Sequence, residues 1–198
     1  MSKIYYIMGK SASGKDTIYK ELMREFPMLR AVTLYTTRPI RDGEKDGAEY
    51  FFVTKETLDR YEEEGKLIEL RTYHTVCGDW HYATVDDGSI DLNKAGYLMI
   101  GTLESYEKMK EYYGAEVLIP IYIEVEDGMR LKRAIEREEQ QETPRYDEMC
   151  RRFLADKEDF SEDHLAKAGI TSRYYNTDKV QCLEEIKKVI RKWEALKM

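Results

Sequence analysis

Gly9-Lys10-Ser11-Ala12-Ser13-Gly14-Lys15 decides how this chain is read. Before it, Lys3–Met8 reads as a buried strand. After it, a helical pattern runs from about Asp16 to Phe26 and closes at Pro27. The spacing is GxxxxGK. Glycines let backbone N–H groups turn inward around a phosphate, and the start of the following helix adds its partial positive charge. Lys15 would reach the outer phosphates and offset charge as a phosphoryl group moves. A strand before and a helix after separate such a loop from a flexible Gly/Ser turn. Gly9, Ser11, Ala12, Ser13, Gly14 and Lys15 are therefore the expected phosphate contacts, with Asp16 and Thr17 next in line. Asp16 stands where a Ser or Thr that ligates magnesium is usual. It is either a hard oxygen ligand for the metal or a residue that favours the helix start, and the sequence leaves both open.

Outward from the loop, strand and helix signals alternate. Ala31–Tyr35 reads as a short strand, Thr36 to Gly47 as a loop, Tyr50–Val53 as a strand, Lys55–Glu64 as a helix and Lys66–Tyr73 as a strand. Gly78 and Asp79 mark a turn before a strand at His81–Val85. The second half alternates more plainly: strand Gly96–Gly101, helix Leu103–Tyr113, strand Glu116–Val125, then charged helices over Asp127 to Glu138 and Tyr146–Phe160. QQETPR (140–145) breaks those two helices apart. A short strand at Tyr174–Asn176 and an amphipathic helix over Val180–Leu196 close the chain. This rhythm predicts a three-layer α/β/α fold around a mainly parallel sheet. The strand-rich piece from 35 to 85 interrupts it and reads as an insert.

At 198 residues, 42% of them hydrophobic and 36% charged, the chain is of a size and kind to bury a core unaided. The apolar run at the start is too short for a signal peptide or a membrane span, so a cytoplasmic protein is expected. A net charge of −7 argues against nucleic acid as a partner. Cys77, Cys150 and Cys182 form no CxxC pair and read as ordinary thiols. His74 and His81 lack metal-ligand spacing and an evident nucleophile partner.

Thr36-Thr37-Arg38-Pro39-Ile40-Arg41-Asp42-Gly43-Glu44, with Gly47 and Tyr50-Phe51-Phe52-Val53 beyond it, carries a second signal. Two arginines three apart on a loop can hold a nucleotide phosphate by charge-assisted bonds, and Tyr50 could donate to the same phosphate. A solvated, salt-bridged turn has the same composition. The phosphate loop tips the balance, because a phosphoryl donor needs an acceptor site.

The phosphate loop, the TTRxxRxGExxGxxYxFV stretch and Leu67-Ile68-Glu69, in register for about ninety residues, resemble the guanylate kinase family. The resemblance implies a core of about 1–34, 86–136 and 158–198, a GMP-binding insert of about 35–85 and a lid of about 137–157. It implies ATP as donor, magnesium as cofactor and small nucleotides as partners, in a monomer or homodimer. By resemblance Arg38, Arg41, Tyr50 and Tyr82 hold the GMP phosphate, while Glu69 and Thr84 read guanine. Arg137 and Arg152 match lid arginines that act on the transferring phosphoryl group. Arg133 matches less securely, and Asn176 falls where the family has an asparagine near adenine. Without the family, the arginine-bearing helix reads as a solvated face and Glu69 as a strand-end surface carboxylate.

The chain also departs from the pattern. Leu34 replaces a serine, Ala83 replaces a glycine, and the strand that ends in Asp-x-Asp in the family reads Met99-Ile100-Gly101. The lost carboxylates would organise magnesium and its water; Asp16 is a candidate to take over part of that role. Three functions follow: ATP-dependent phosphorylation of GMP, the same chemistry on another small phosphate ester or nucleotide, and a binding module that has lost catalysis.

Overall fold

In the computed structural model, which describes residues 2–41, 43–75 and 78–196, the first strand is β1 (Ile4–Met8), buried along its whole length. Its side chains alternate between two cores. Ile4, Tyr6 and Met8 join one apolar cluster, while Tyr5 and Ile7 join another. A strand with both faces buried belongs in the middle of a sheet covered on both sides. β1 indeed pairs in parallel with β7 (Tyr97–Gly101) and β8 (Leu118–Glu124). β2 (Arg30–Ala31) and β9 (Arg173–Tyr175) extend the parallel sheet to the order β2-β7-β1-β8-β9. Helices α1 (Lys15–Glu25) and α7 (Lys179–Ala195) bury Ile18, Leu22, Ile186 and Ile190 against one face. On the other face α3 (Leu103–Tyr113) and α6 (Glu162–Ala168) pack Leu103, Met109, Leu165 and Ala168. The fold is therefore the expected three-layer α/β/α core.

A second sheet, of order β4-β3-β6-β5, comprises β3 (Leu34–Thr36), β4 (Tyr50–Phe52), β5 (Leu67–Thr75) and β6 (Gly78–Val85). Its one face packs Tyr35, Ala83 and Val85 on Leu58 of α2 (Lys55–Glu63). Two charged helices, α4 (Asp127–Glu139) and α5 (Tyr146–Asp159), follow β8.

The structure corrects three details. The single strand expected at 31–35 is two: Arg30–Ala31 pairs with β7 in the core, and Leu34–Thr36 pairs with β4 and β6. Gly78 and Asp79 form no turn; they pair with Thr75 and His74 in the β5–β6 ladder. Helix α6 was not expected, although Ser161 caps it by accepting from His164 N–H and Gly169 ends it in the left-handed region at φ 79°. Cys77 and Asp42 lie outside the described residues. Cys150 is exposed, and burial pushes the Cys182 thiol up to about 11. Among the described residues no helix is long and apolar enough to cross a membrane.

Candidate active site

The carboxyl ends of parallel strands are where open α/β sheets bind ligands. Here the loop after β1 turns into α1, whose N-cap, Gly14, supplies no side-chain hydrogen bond. The first-turn N–H groups thus stay directed at the loop, as an anion site requires. Gly14 takes φ 84°, and a Cβ there would lie 2.5 Å from Asn176 Nδ2, so both conformation and space demand glycine. Asn176, just past β9, donates from Nδ2 to Ser13 O (2.8 Å). Arg133 donates to Asn176 O (2.9 Å). Ser13 Oγ and Asn176 Oδ1 are buried with no hydrogen-bond partner among the described residues. Ala12 is the one described non-glycine residue at positive φ, 60°. A left-handed residue of this kind costs about 1–2 kcal/mol and is kept where surrounding contacts enforce it. Lys15 is partly exposed, its ammonium 3.9 Å from the exposed Asp16 carboxylate.

What enforces the loop was not read from the sequence. Arg130 of α4 is only 1% exposed. Its Nε donates to Ser11 O (3.0 Å), Nη1 to Asp127 (2.7 Å) and Nη2 to Asp156 Oδ2 (2.7 Å). The same Asp156 oxygen accepts from Ser11 N–H at 2.7 Å. Both backbone groups of Ser11 are thus held by α4 and α5. The amphipathic phase could have revealed this, since Arg130 lies four before the buried Ala134 on one helix face.

In the second sheet, Thr36 Oγ1 donates to His81 O (2.8 Å) and Thr37 Oγ1 accepts from His81 N–H (3.0 Å), which anchors the arginine loop. Arg38 is buried, its guanidinium over the rings of Tyr50 (5.1 Å) and Phe52 (5.3 Å) and paired with Glu44. That hydrogen bond raises Arg38 above its ordinary value, and it holds the Glu44 carboxyl down at about 2, helped by Arg41 N–H. Tyr82 packs edge-on to Tyr50 at 5.6 Å. Arg41 is exposed at the rim.

An irregularity in the β5–β6 register between Leu67 and Glu69 re-aims the strand, so that Ile68 enters the core and Glu69 sits opposite Thr84. Glu69 is buried. Its Oε1 accepts from Thr84 Oγ1 (3.0 Å) and Ser105 Oγ (3.0 Å), and its Oε2 from Arg71 Nε (3.0 Å). Arg71 also reaches Thr102 Oγ1 at 3.4 Å. Burial is the largest single influence and works against the Arg71 charge, but the charge and hydrogen bond of Glu69, with Tyr73 and Tyr6 nearby, together outweigh it and the net shift is upward. Neither Ser105 nor Arg71 is singled out by the sequence alone; for Arg71 the available signal is the two-residue period that places it on one strand face with Glu69.

On α5, Arg151 and Arg152 both donate to Glu148, at 2.7 and 2.8 Å, and hold its carboxyl at about 2. Arg137 is half-exposed, 3.7 Å from Glu138. At the end of β7, a Cβ on Gly101 would lie 2.0 Å from Tyr6 Oη. The volume a side chain would take there is filled by the buried phenol of β1.

A glycine-rich loop that runs from the carboxyl end of the central parallel strand into a helix start defines the P-loop class of α/β folds. The sequence model of the guanylate kinase family matches residues 1–150. Guanylate kinase of Syntrophotalea carbinolica is 34% identical over 84 residues, 42% of this chain and 40% of that protein. Guanylate kinase of Neisseria meningitidis serogroup A is 31% identical over 125 residues, 60% of this chain and 59% of that one. The matches thus span less than two thirds of these relatives' lengths. In three dimensions the crystal structure of guanylate kinase from Anaplasma phagocytophilum superposes with a TM-score of 0.64, 18% identity, 96% of this chain and 85% of that one covered; the likeness speaks to the fold. The chain belongs to the guanylate kinase family.

Proposed function

We propose that this protein transfers the γ-phosphoryl group of ATP to GMP, giving ADP and GDP. The observation that carries the reading is the buried Glu69 carboxylate, 3.0 Å from the Thr84 hydroxyl. It is tied through Ser105 to the helix that follows β7, and β7 is the neighbour of the strand bearing the phosphate loop. A carboxylate beside a hydroxyl suits a base edge that offers adjacent N–H donors and a carbonyl. Arg38, Arg41, Tyr50 and Tyr82 then serve the acceptor phosphate.

On the donor side, the loop N–H groups and Lys15 take the outer phosphates. Asn176 and Arg133, already on the loop, stand on the nucleoside side. We read 1–34, 86–136 and 158–198 as core, 35–85 as insert and 137–157 as lid, in a cytoplasmic monomer or homodimer. Closing the lid would bring Arg137 and Arg152 to the transferring group, once Arg152 leaves Glu148 for a phosphate oxygen. Phosphoryl transfer depends mainly on such positioning and charge.

Magnesium binds such sites through one or two carboxylates plus substrate phosphates and water. The residues here fit that mode: Asp16 is an exposed carboxylate beside Lys15, in the first turn of the helix that follows the phosphate loop. Asp16, with Thr17, would hold a metal delivered on the triphosphate, where it would neutralise charge on the phosphate oxygens.

The test is a coupled ADP-release assay with ATP and magnesium, offering GMP, dGMP, AMP, CMP, UMP and ribose 1,5-bisphosphate in parallel. Turnover confined to GMP and dGMP is expected. Turnover with another acceptor alone would discard the substrate, and silence from folded protein that still binds GMP would point to a binding module.

A further inference from the structure

The Glu69 carboxylate has little spare capacity: its Oε1 accepts three hydrogen bonds and its Oε2 one, which leaves a single lone pair on Oε2. A carboxylate offers about four lone-pair sites, and Glu69 already accepts from Thr84 (3.0 Å), Ser105 (3.0 Å), Arg71 Nε (3.0 Å) and Arg71 Nη2 (3.4 Å). A base that brings two N–H donors must displace some of these. Each hydroxyl can turn on its own C–O bond while staying in place. The longest bond, Arg71 Nη2 to Oε1, is the weakest by geometry. Arg71 also lines a cleft of about 480 Å3 with Tyr73, Thr102 and Leu103, so the guanidinium has room to slide off the carboxylate while remaining beside it.

The displaced group keeps N–H donors at the flank of the carboxylate. Side by side, Glu69 and Arg71 present two acceptors followed by a donor. Guanine offers the complement: the 2-amino group and N1–H as donors, then O6 as acceptor. Adenine and the pyrimidines do not offer it in that order. We propose that Arg71 is a specificity-determining residue of the acceptor site, donating to the purine O6 while Glu69 accepts from N1–H and the 2-amino group. This rests on the GMP reading above and adds to it a residue that selects for the 6-oxo group. The pairing also explains why a strand of the second sheet carries an arginine only 12% exposed at its side chain: a buried charge needs a partner, and Glu69 supplies one until the base arrives.

The experiment compares wild type, Arg71→Met and Arg71→Lys with three acceptors under ATP and magnesium. GMP has all three base groups, IMP lacks the 2-amino group, and 2-aminopurine ribonucleoside monophosphate lacks O6 and N1–H. A lost hydrogen bond to a charged donor corresponds to roughly 10–100-fold in affinity. Arg71→Met is expected to raise KM for GMP and IMP by about that factor and to leave KM for the 2-aminopurine nucleotide within about 3-fold. At saturation kcat should stay within about 3-fold of wild type. Arg71→Lys, which keeps a charge against Glu69 and guards against loss of the fold, should fall between the two in GMP selectivity. An equal rise for all three acceptors would mean that Arg71 only props Glu69, and would overturn the proposal, as would unchanged selectivity in both variants. Silence of the wild type with every acceptor fails the functional reading instead. Calorimetric titration of the same nucleotides then decides on Arg71: a GMP affinity that Arg71→Met leaves alone, or no affinity in the wild type, overturns it.

Discussion

Replacing Gly101 by alanine places a methyl carbon 2.0 Å from Tyr6 Oη, 2.8 Å from Cζ and 3.4 Å from Cε1. Non-bonded carbon contacts settle near 3.5–4.0 Å, so the phenol must retreat by more than an ångström. It has little room to do so. Tyr6 is fully buried, its ring lies edge-on to Tyr106 at 5.4 Å, and its hydroxyl donates to Thr102 O at 3.3 Å. Overpacking of this kind costs about 1–3 kcal/mol, and losing the hydroxyl's bond adds about 1 kcal/mol. Gly101→Ala should therefore lose about 3 kcal/mol, a fall of roughly 6–12 °C in Tm for a domain of this size. Removing the oxygen by Tyr6→Phe relieves the closest contact. The double variant should accordingly be more stable than the sum of the singles by about 1–2 kcal/mol. Denaturant unfolding of the four proteins measures this directly. An unchanged midpoint for Gly101→Ala, or costs that add within about 0.5 kcal/mol, would refute the volume-exchange argument. The same contact means that Gly101→Asp alone will not install a useful carboxylate, because Tyr6 occupies its path.

Three further outcomes are expected. Asp156→Ala removes one of the two carboxylates that hold the buried Arg130 guanidinium and the acceptor of Ser11 N–H; a loss of about 2–3 kcal/mol and a KM increase larger for ATP than for GMP should appear in unfolding and steady-state assays, with Asp156→Asn intermediate. Lys15→Met should reduce kcat by roughly 10²–10³-fold with an unchanged circular dichroism spectrum, since among the described residues the ammonium's one ion pair is the 3.9 Å contact with Asp16; turnover near wild type would remove Lys15 from the mechanism. The Glu44 and Glu148 carboxyls are held at about 2, below their ordinary 4.5. Their pairing therefore stabilises the fold fully above about pH 4.5 and is lost as pH falls toward 2. Tm should drop through that window, and Glu44→Gln should flatten the slope; an unaltered slope would show that the Arg38–Glu44 pair does not set it.

Most of the architecture was legible because the local signals agree with one another. The apolar run before Gly9 and the helix after Lys15 fix the sheet's centre, and Thr102, the N-cap of α3, stands just past the Gly96–Gly101 run. The misreadings have physical causes. Gly78 and Asp79 favour turns by composition, yet ladder partners on β5 hold them in a strand. Nothing local says that Arg30–Ala31 and Leu34–Thr36 belong to different sheets. In the site, Glu69 and Thr84, fifteen positions apart, are joined by a hydrogen bond across the β5–β6 ladder. Arg71 and Arg130 are not legible because an arginine's burial is set by its distant partners, and Ser105 because its acceptor, Glu69, lies 36 positions away. Gly101 reads as a lost carboxylate in the sequence; the structure shows that Tyr6, on the neighbouring strand, occupies the volume instead.

The ties on the phosphate loop also bear on the order in which the chain folds. Ser11 is held by Asp156, 145 positions later, and Ser13 by Asn176, 163 positions later. Contacts that close such long loops form late, after the entropy of bringing the ends together has been overcome. During synthesis the loop leaves the ribosome long before the residues that shape it. An N-terminal fragment ending at β8 would carry the whole GxxxxGK motif and still lack the geometry that grips a phosphate, so nucleotide binding reports completion of the chain's last third.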